Sequence, residues 1–107
     1  MREINFEQIS RKIKELRIAK GLTQEYLANM ADVNTSHISN IENNRVKISL
    51  PTLISICNAL DTTVDYILCE EYSDTSSVLD QYILRELHKC DTLTKERILK
   101  IIQILQE

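Results

Sequence analysis

Apolar positions recur along the first half of the chain at helical spacing. Phe6, Ile9, Ile13 and Leu16 fall 3, 4 and 3 residues apart, which predicts an amphipathic helix over residues 6–19 with Lys and Arg on its other face. Gly21 after Lys20 is the expected left-handed end of that helix. Thr23 is placed to cap a second, short helix with Glu25 near its positive end, burying Leu27 and Met30. Asp32-Val33-Asn34 reads as a tight turn, and Asn34 as the cap of a third helix from Thr35 to about Asn43 with Ile38 and Ile41 inward. Ser49 caps a fourth helix running to about Leu60, with Leu50, Leu53, Cys57 and Leu60 on one face. Pro51 is tolerated in its first turn, where no N–H partner is lost. Thr63 caps a fifth helix, Val64 to about Cys69. The polar stretch from Glu70 to Ser76 predicts a linker. Two more helices are expected, Ser77 to about Lys89 and Lys95 to about Gln106, the second capped by Thr94. In that last helix Ile98, Ile101, Ile102 and Leu105 form a stripe which Leu99 and Ile104 widen, so it needs cover on more than one side.

Composition narrows the class. With one Gly and one Pro in 107 residues, a sandwich or barrel of many tight turns is disfavoured and an all-α fold is expected. No apolar run is long enough to span a bilayer, and MREINFEQIS has no apolar core of a secretory signal. Cys57, Cys69 and Cys90 are odd in number and widely spaced. They read as reduced thiols of a cytoplasmic protein, with no disulfide framework, no metal site and no cofactor. The net charge of -3 hides a gradient: eight basic and six acidic residues up to position 51, then five acids without a Lys or Arg up to position 76. Only the first half therefore offers a face for a polyanion.

The outward face of the third helix sharpens this. Thr35, Ser36, Ser39, Asn40 and Asn43 are short and polar, where a merely solvated helix would carry Glu and Lys. An Asn carboxamide donates and accepts together, matching adenine in the major groove, and Ser and Thr suit several base edges. Gln24, at the start of the preceding helix, is placed to reach a phosphate, and Arg45 and Lys47 to add backbone charge contacts.

The run KELRIAKGLTQEYLANMADVNTSHISNIENNRVKISLPTLISICNAL resembles the Cro/phage-repressor, or xenobiotic-response-element, type of helix-turn-helix regulators, over about residues 6–68. The resemblance implies a five-helix, lambda-repressor-like DNA-binding domain in which Thr35, Ser36, Ser39 and Asn40 face base edges. It implies phosphate contacts from Gln24, Asn43 and Arg45, and a partly buried salt bridge between Arg17 and Glu42. The chain departs from the family where Gly is frequent, with Asp32 in the turn and Asn44 after the recognition helix. Both residue types tolerate left-handed backbone.

Other signals read more plainly. His37 sits near a helix N-terminus, where a cation is disfavoured, and is expected to be a neutral surface residue. His88 and Cys90 lack further ligands for a metal, and Tyr26, Tyr66 and Tyr82 are expected to pack. No nucleophile–base pair, catalytic carboxylate pair or phosphate-cradling Gly loop is visible, so no enzyme is expected. The expected organisation is a DNA-binding domain at 1–69, a linker at 70–76 and a C-terminal helical hairpin at 77–107. The hairpin is read first as a dimerisation segment and second as packing within the chain. A membrane anchor is set aside, because Lys95, Arg97 and Lys100 are too few. The functional expectation is a homodimeric repressor on duplex DNA with a palindromic operator. The alternative is an interaction module, antitoxin-like or signal-responsive, whose C-terminal helices take a protein or peptide while DNA is secondary.

Overall fold

The computed structural model describes residues 3–71 and 76–106, and every regular element among them is helical. The helices are α1 (Phe6–Ala19), α2 (Gln24–Ala31), α3 (Thr35–Glu42), α4 (Leu50–Ala59), α5 (Val64–Ile67), α6 (Ser76–His88) and α7 (Thr92–Leu105), with a 3-10 turn at Cys69–Glu71. The chain divides into two compact units, Met1–Ser73 and Asp74–Glu107. Of the expected linker, Glu70 and Glu71 belong to the 3-10 turn, Ser76 opens α6, and residues 72–75 lie outside the described residues.

Each helix of the first unit begins on a side-chain oxygen that takes an otherwise orphaned backbone N–H. Asn5 accepts from Gln8, Thr23 from Tyr26, Asn34 from His37, Ser49 from Thr52 and Thr63 from Tyr66. Four helix ends close alike, on a residue with positive φ: Gly21 (70°), Asp32 (56°), Asn44 (55°) and Asp61 (51°). After α1, for example, the Leu22 N–H donates to the Arg17 carbonyl and the Gly21 N–H to the Ile18 carbonyl, the Schellman pattern. Asp and Asn thus serve where a Gly-poor sequence has no Gly to give. Asp61 is a left-handed position that the sequence did not announce.

The core of the first unit gathers one stripe from each helix. Ile13, Leu27, Ile38, Ile41, Ile56 and Leu60 are fully buried. Burial of a single side chain of this size is worth about 1.5–3 kcal/mol. Leu16, Leu22, Val33 and Tyr66 close the margins. Three expectations fail here. Met30 is exposed, because α2 turns Leu27, Ala28 and Ala31 inward and Met30 lies about 100° round the helix from Ala31. Leu50 is exposed as well. It stands in the first turn of α4, where side chains lean toward the helix start and off the end of the packed face, and Ile56 fills the core instead. Tyr26 is half exposed rather than packed.

The second unit is two helices joined by a short turn, in which the Lys89 and Cys90 N–H groups donate to the Glu86 and Leu87 carbonyls. The expected start of the last helix is corrected. Asp91, not Thr94, is the cap, and Thr94 donates its N–H to Asp91 Oδ1 at 2.8 Å, so α7 begins at Thr92. Neither α6 nor α7 contains a buried residue. No helix among the described residues is long and apolar enough to cross a membrane.

Candidate nucleic-acid interface

The first unit presents α3 on a short stem. α2 ends at the left-handed Asp32, the chain turns through Val33, and Asn34 starts α3 by accepting both the His37 N–H and the Ser36 hydroxyl at 2.8 Å. Inward, Ile38, Ile41 and Glu42 are buried. Outward, Thr35, Ser36 and Asn43 are exposed and Ser39 and Asn40 half-buried, so five short polar side chains share one face. The Asn43 carboxamide makes a long 3.4 Å bond to Ser39 Oγ. The Asn40 carboxamide has no partner among the described residues and keeps its donor and acceptor free. His37 is half-buried beside them.

A buried ionic network sets the angle of α3. Arg17 Nε and Nη2 donate to the two Glu42 carboxylate oxygens at 2.7 and 3.0 Å, a forked pair, and Arg17 Nη1 donates to the Leu22 carbonyl at 2.8 Å. The Glu42 side chain is 1% exposed and that of Arg17 11%, so the pair is shielded from salt and water. Gln24 joins it: Gln24 Nε2 donates to Glu42 Oε1 at 3.0 Å. The sequence pointed Gln24 at a phosphate, and the structure adds a structural tie. A carboxamide nitrogen carries two hydrogens, so the second remains for an external acceptor. The signal for this tie was present only as two polar residues at opposite ends of the helix pair.

Beyond α3, Arg45 and Lys47 are both exposed. Lys47 Nζ stands 5.5 Å above the Phe6 ring, and both residues line a shallow groove with Ile4, Asn5 and Asn44. The structure thus brings Gln24, Arg17 and Glu42 together at the C-terminal end of α3. It sets Thr35 and Ser36 at the other end, about 9–10 Å along the axis from Glu42 at 1.5 Å per residue. Asp32 is exposed in the turn.

The remaining candidate chemistry does not converge. No cluster of three His, Cys, Asp or Glu side chains occurs among the described residues. Cys57 and Cys69 are buried and Cys90 is half-buried. Burial pushes the Cys57 thiol up to about 11, far from a nucleophile's range.

Two short helices held across a tight turn, the second with a polar outer face, make this a helix-turn-helix structure. The helix-turn-helix family model matches residues 13–67, half of the chain, and the chain belongs to that family, in its Cro/C1 type. An uncharacterized HTH-type transcriptional regulator of Rickettsia conorii is 40% identical over 58 residues, covering 54% of this chain and 46% of its own length. The immunity repressor protein of Bacillus phage phi105 is 36% identical over 63 residues, 59% of this chain and 44% of its own. The chain thus spans just under half the length of these relatives. Among solved structures, a mutant of the restriction-modification controller protein C.Esp1396I bound to its highest-affinity operator site is 29% identical. That match covers 62% of this chain and 87% of the controller, with a TM-score of 0.56.

Proposed function

We propose that this chain is a transcriptional regulator, a repressor, that binds duplex DNA sequence-specifically as a homodimer on a palindromic operator. The observation that carries the reading is the outer face of α3: short hydrogen-bonding side chains on a helix whose inclination is fixed by the buried Arg17–Glu42–Gln24 network. Thr35, Ser36, Ser39 and Asn40 would meet base edges, and Asn43, Arg45, Lys47 and the free Gln24 hydrogen would meet phosphates. The operator-bound controller protein and the phage repressor support the same reading.

The homodimer rests on the second unit. Among the described residues, α6 and α7 bury nothing of their own. Leu79, Ile83, Leu99, Ile102 and Leu105 stand exposed on them. A second copy would cover these side chains and set two α3 helices about 34–36 Å apart, one turn of duplex. Occlusion of the promoter would then repress.

Selection of bound duplexes from a random pool, followed by titration of Asn40→Ala, tests the assignment. Asn40→Ala should cost about 1–3 kcal/mol on the selected operator and little on random duplex. Equal losses on both would remove Asn40 from base reading. The apolar surface of α6 and α7 equally favours a second reading, an interaction module that takes a foreign protein or peptide there. Removal of residues 74–107 separates the two. A dimeric DNA reader becomes a monomer with weak operator binding, whereas an interaction module loses only its partner.

A further inference from the structure

One stripe of α1 is spent on neither the core nor the recognition face. Glu7, Ser10, Arg11 and Lys14 recur at i, i+3, i+4 and i+7, so they share one side of the helix. That side forms a cleft with Glu42, Asn43 and Asn44 at the C-terminal end of α3. Ser10 is only 4% exposed, yet its hydroxyl has no hydrogen-bond partner among the described residues. Its Oγ is not sealed off, so it stays open to a ligand in the cleft. The Lys14 ammonium and the Asn44 carboxamide are likewise unpaired among the described residues. Arg11 makes a single 3.3 Å contact to Glu7, with both side chains more than half exposed, a pair that yields readily to a competing anion.

The charges around the cleft favour a negative ligand. Glu42 is neutralised by Arg17, which leaves Arg11 and Lys14 against Glu7 alone. The backbone donors at the end of α3 are already used, with Asn44 N–H on the Ile41 carbonyl and Arg45 N–H on the Asn40 carbonyl. Donation therefore falls to side chains: one ammonium, one guanidinium, carboxamides and one hydroxyl. Asn43 belongs both to this cleft and to the outer face of α3, so the cleft continues the proposed DNA surface.

We infer that the cleft between α1 and the end of α3 is an anion site for a duplex backbone phosphate, with Lys14, Arg11, Asn44 and the Ser10 hydroxyl as its donors. This rests on the DNA-binding reading and adds a contact which helix-turn-helix geometry alone does not assign. It clamps the backbone from α1 on the side of α3 away from the turn. Lys14 supplies the charge, and Ser10 with Asn44 fixes where the phosphate sits.

The test uses the full chain, the selected operator and a random duplex, with affinity measured across a range of salt. Lys14→Gln should weaken both duplexes by the same factor and make the plot of log affinity against log salt shallower by about 0.9, one phosphate's share. Glu7→Gln, which frees Arg11, should strengthen both. Neither position is buried, so unchanged thermal melting will mark both variants as folded. If wild-type chain binds duplex but Lys14→Gln keeps the same slope, the cleft assignment is overturned and the DNA reading stands. If wild-type chain binds no duplex, both fall. Inorganic phosphate gives the last arm: amide shifts at Ser10 and Asn44 on its titration, with the slope unaltered by Lys14→Gln, would make free phosphate the ligand and overturn the assignment to DNA.

Discussion

The two units spend their apolar residues in opposite ways. In the first, α1 to α5 each contribute at least one residue to a closed core, and the buried acid Glu42 is matched by a forked Arg and a Gln. In the second, α7 is as long as α1 and α6 one residue shorter, but both bury nothing, and Ile104 and Leu105 are 65% and 78% exposed. Helix length alone is therefore no measure of stability, since packing of an apolar face supplies most of it. The first unit carries its own fold. The second has helices whose burial has still to be supplied from outside, which is the physical basis for reading it as an association element.

The sharpest way to break this contrast is to remove the same kind of residue from both units. Glu42→Ala leaves Arg17 buried without its partner and should cost about 3–5 kcal/mol in urea unfolding. Glu86→Ala removes a partner of Lys89 too, but there the side chains are 39% and 45% exposed, so the loss should stay within about 0.5 kcal/mol. Similar losses at the two sites would mean that burial does not separate the units.

Core truncation sharpens the comparison further. Ile56→Ala opens a cavity in a closed core and should cost about 2–5 kcal/mol at any protein concentration. Ile102→Ala, at a side chain 44% exposed in the single chain, should leave the first unit's unfolding untouched and raise the concentration at which copies associate. Sedimentation across a dilution series reads that shift. An Ile102→Ala chain that associates as wild type would take α7 out of the proposed dimer interface.

Much of the first unit was legible in the sequence because its signals are local. Caps at Thr23, Asn34, Ser49 and Thr63 and the left-handed Gly21, Asp32 and Asn44 depend on a few neighbouring residues and stand where expected. What failed depends on the third dimension. Met30 and Leu50 look inward by spacing, but the phase of α2 and the free end of α4 turn them out. The tie between Gln24 and Glu42, 18 residues away, adds a structural role that only the folded chain reveals. The Ser10–Lys14 cleft was invisible because a basic helix face looks solvated until the end of α3 is placed beside it. Asp91 was passed over for Thr94, since both are good caps and only the backbone decides which N–H points back.

A smaller effect comes from the turn between α2 and α3. Asp32 holds φ at 56°, where a side chain is strained and Gly is not. Asp32→Gly should stabilise the first unit by about 0.5 kcal/mol, the relieved strain less the extra freedom of the unfolded chain. It also removes an exposed carboxylate beside α3, so affinity for random duplex should rise, most at low salt. A stability gain without the affinity gain would place Asp32 away from the DNA.

The gentlest change is a proton at Asp91, the cap of α7, whose ionisation is coupled to its helix. Hydrogen bonds from the Thr94 hydroxyl and N–H hold its carboxyl below the ordinary value of 3.8. A group whose pKa is depressed by folding lends stability above its unfolded value and withdraws it as pH falls through the folded one. The first turn of α7 should therefore hold at neutral pH and fray only below about pH 4, seen as the Thr94 amide losing protection from exchange. Asp91→Asn keeps an oxygen for the same N–H without the titration, so its first turn should be indifferent to acid. If Asp91→Asn frays over the same pH range as wild type, the acid sensitivity lies elsewhere, and the second unit has a titrating contact that its exposed helices do not account for.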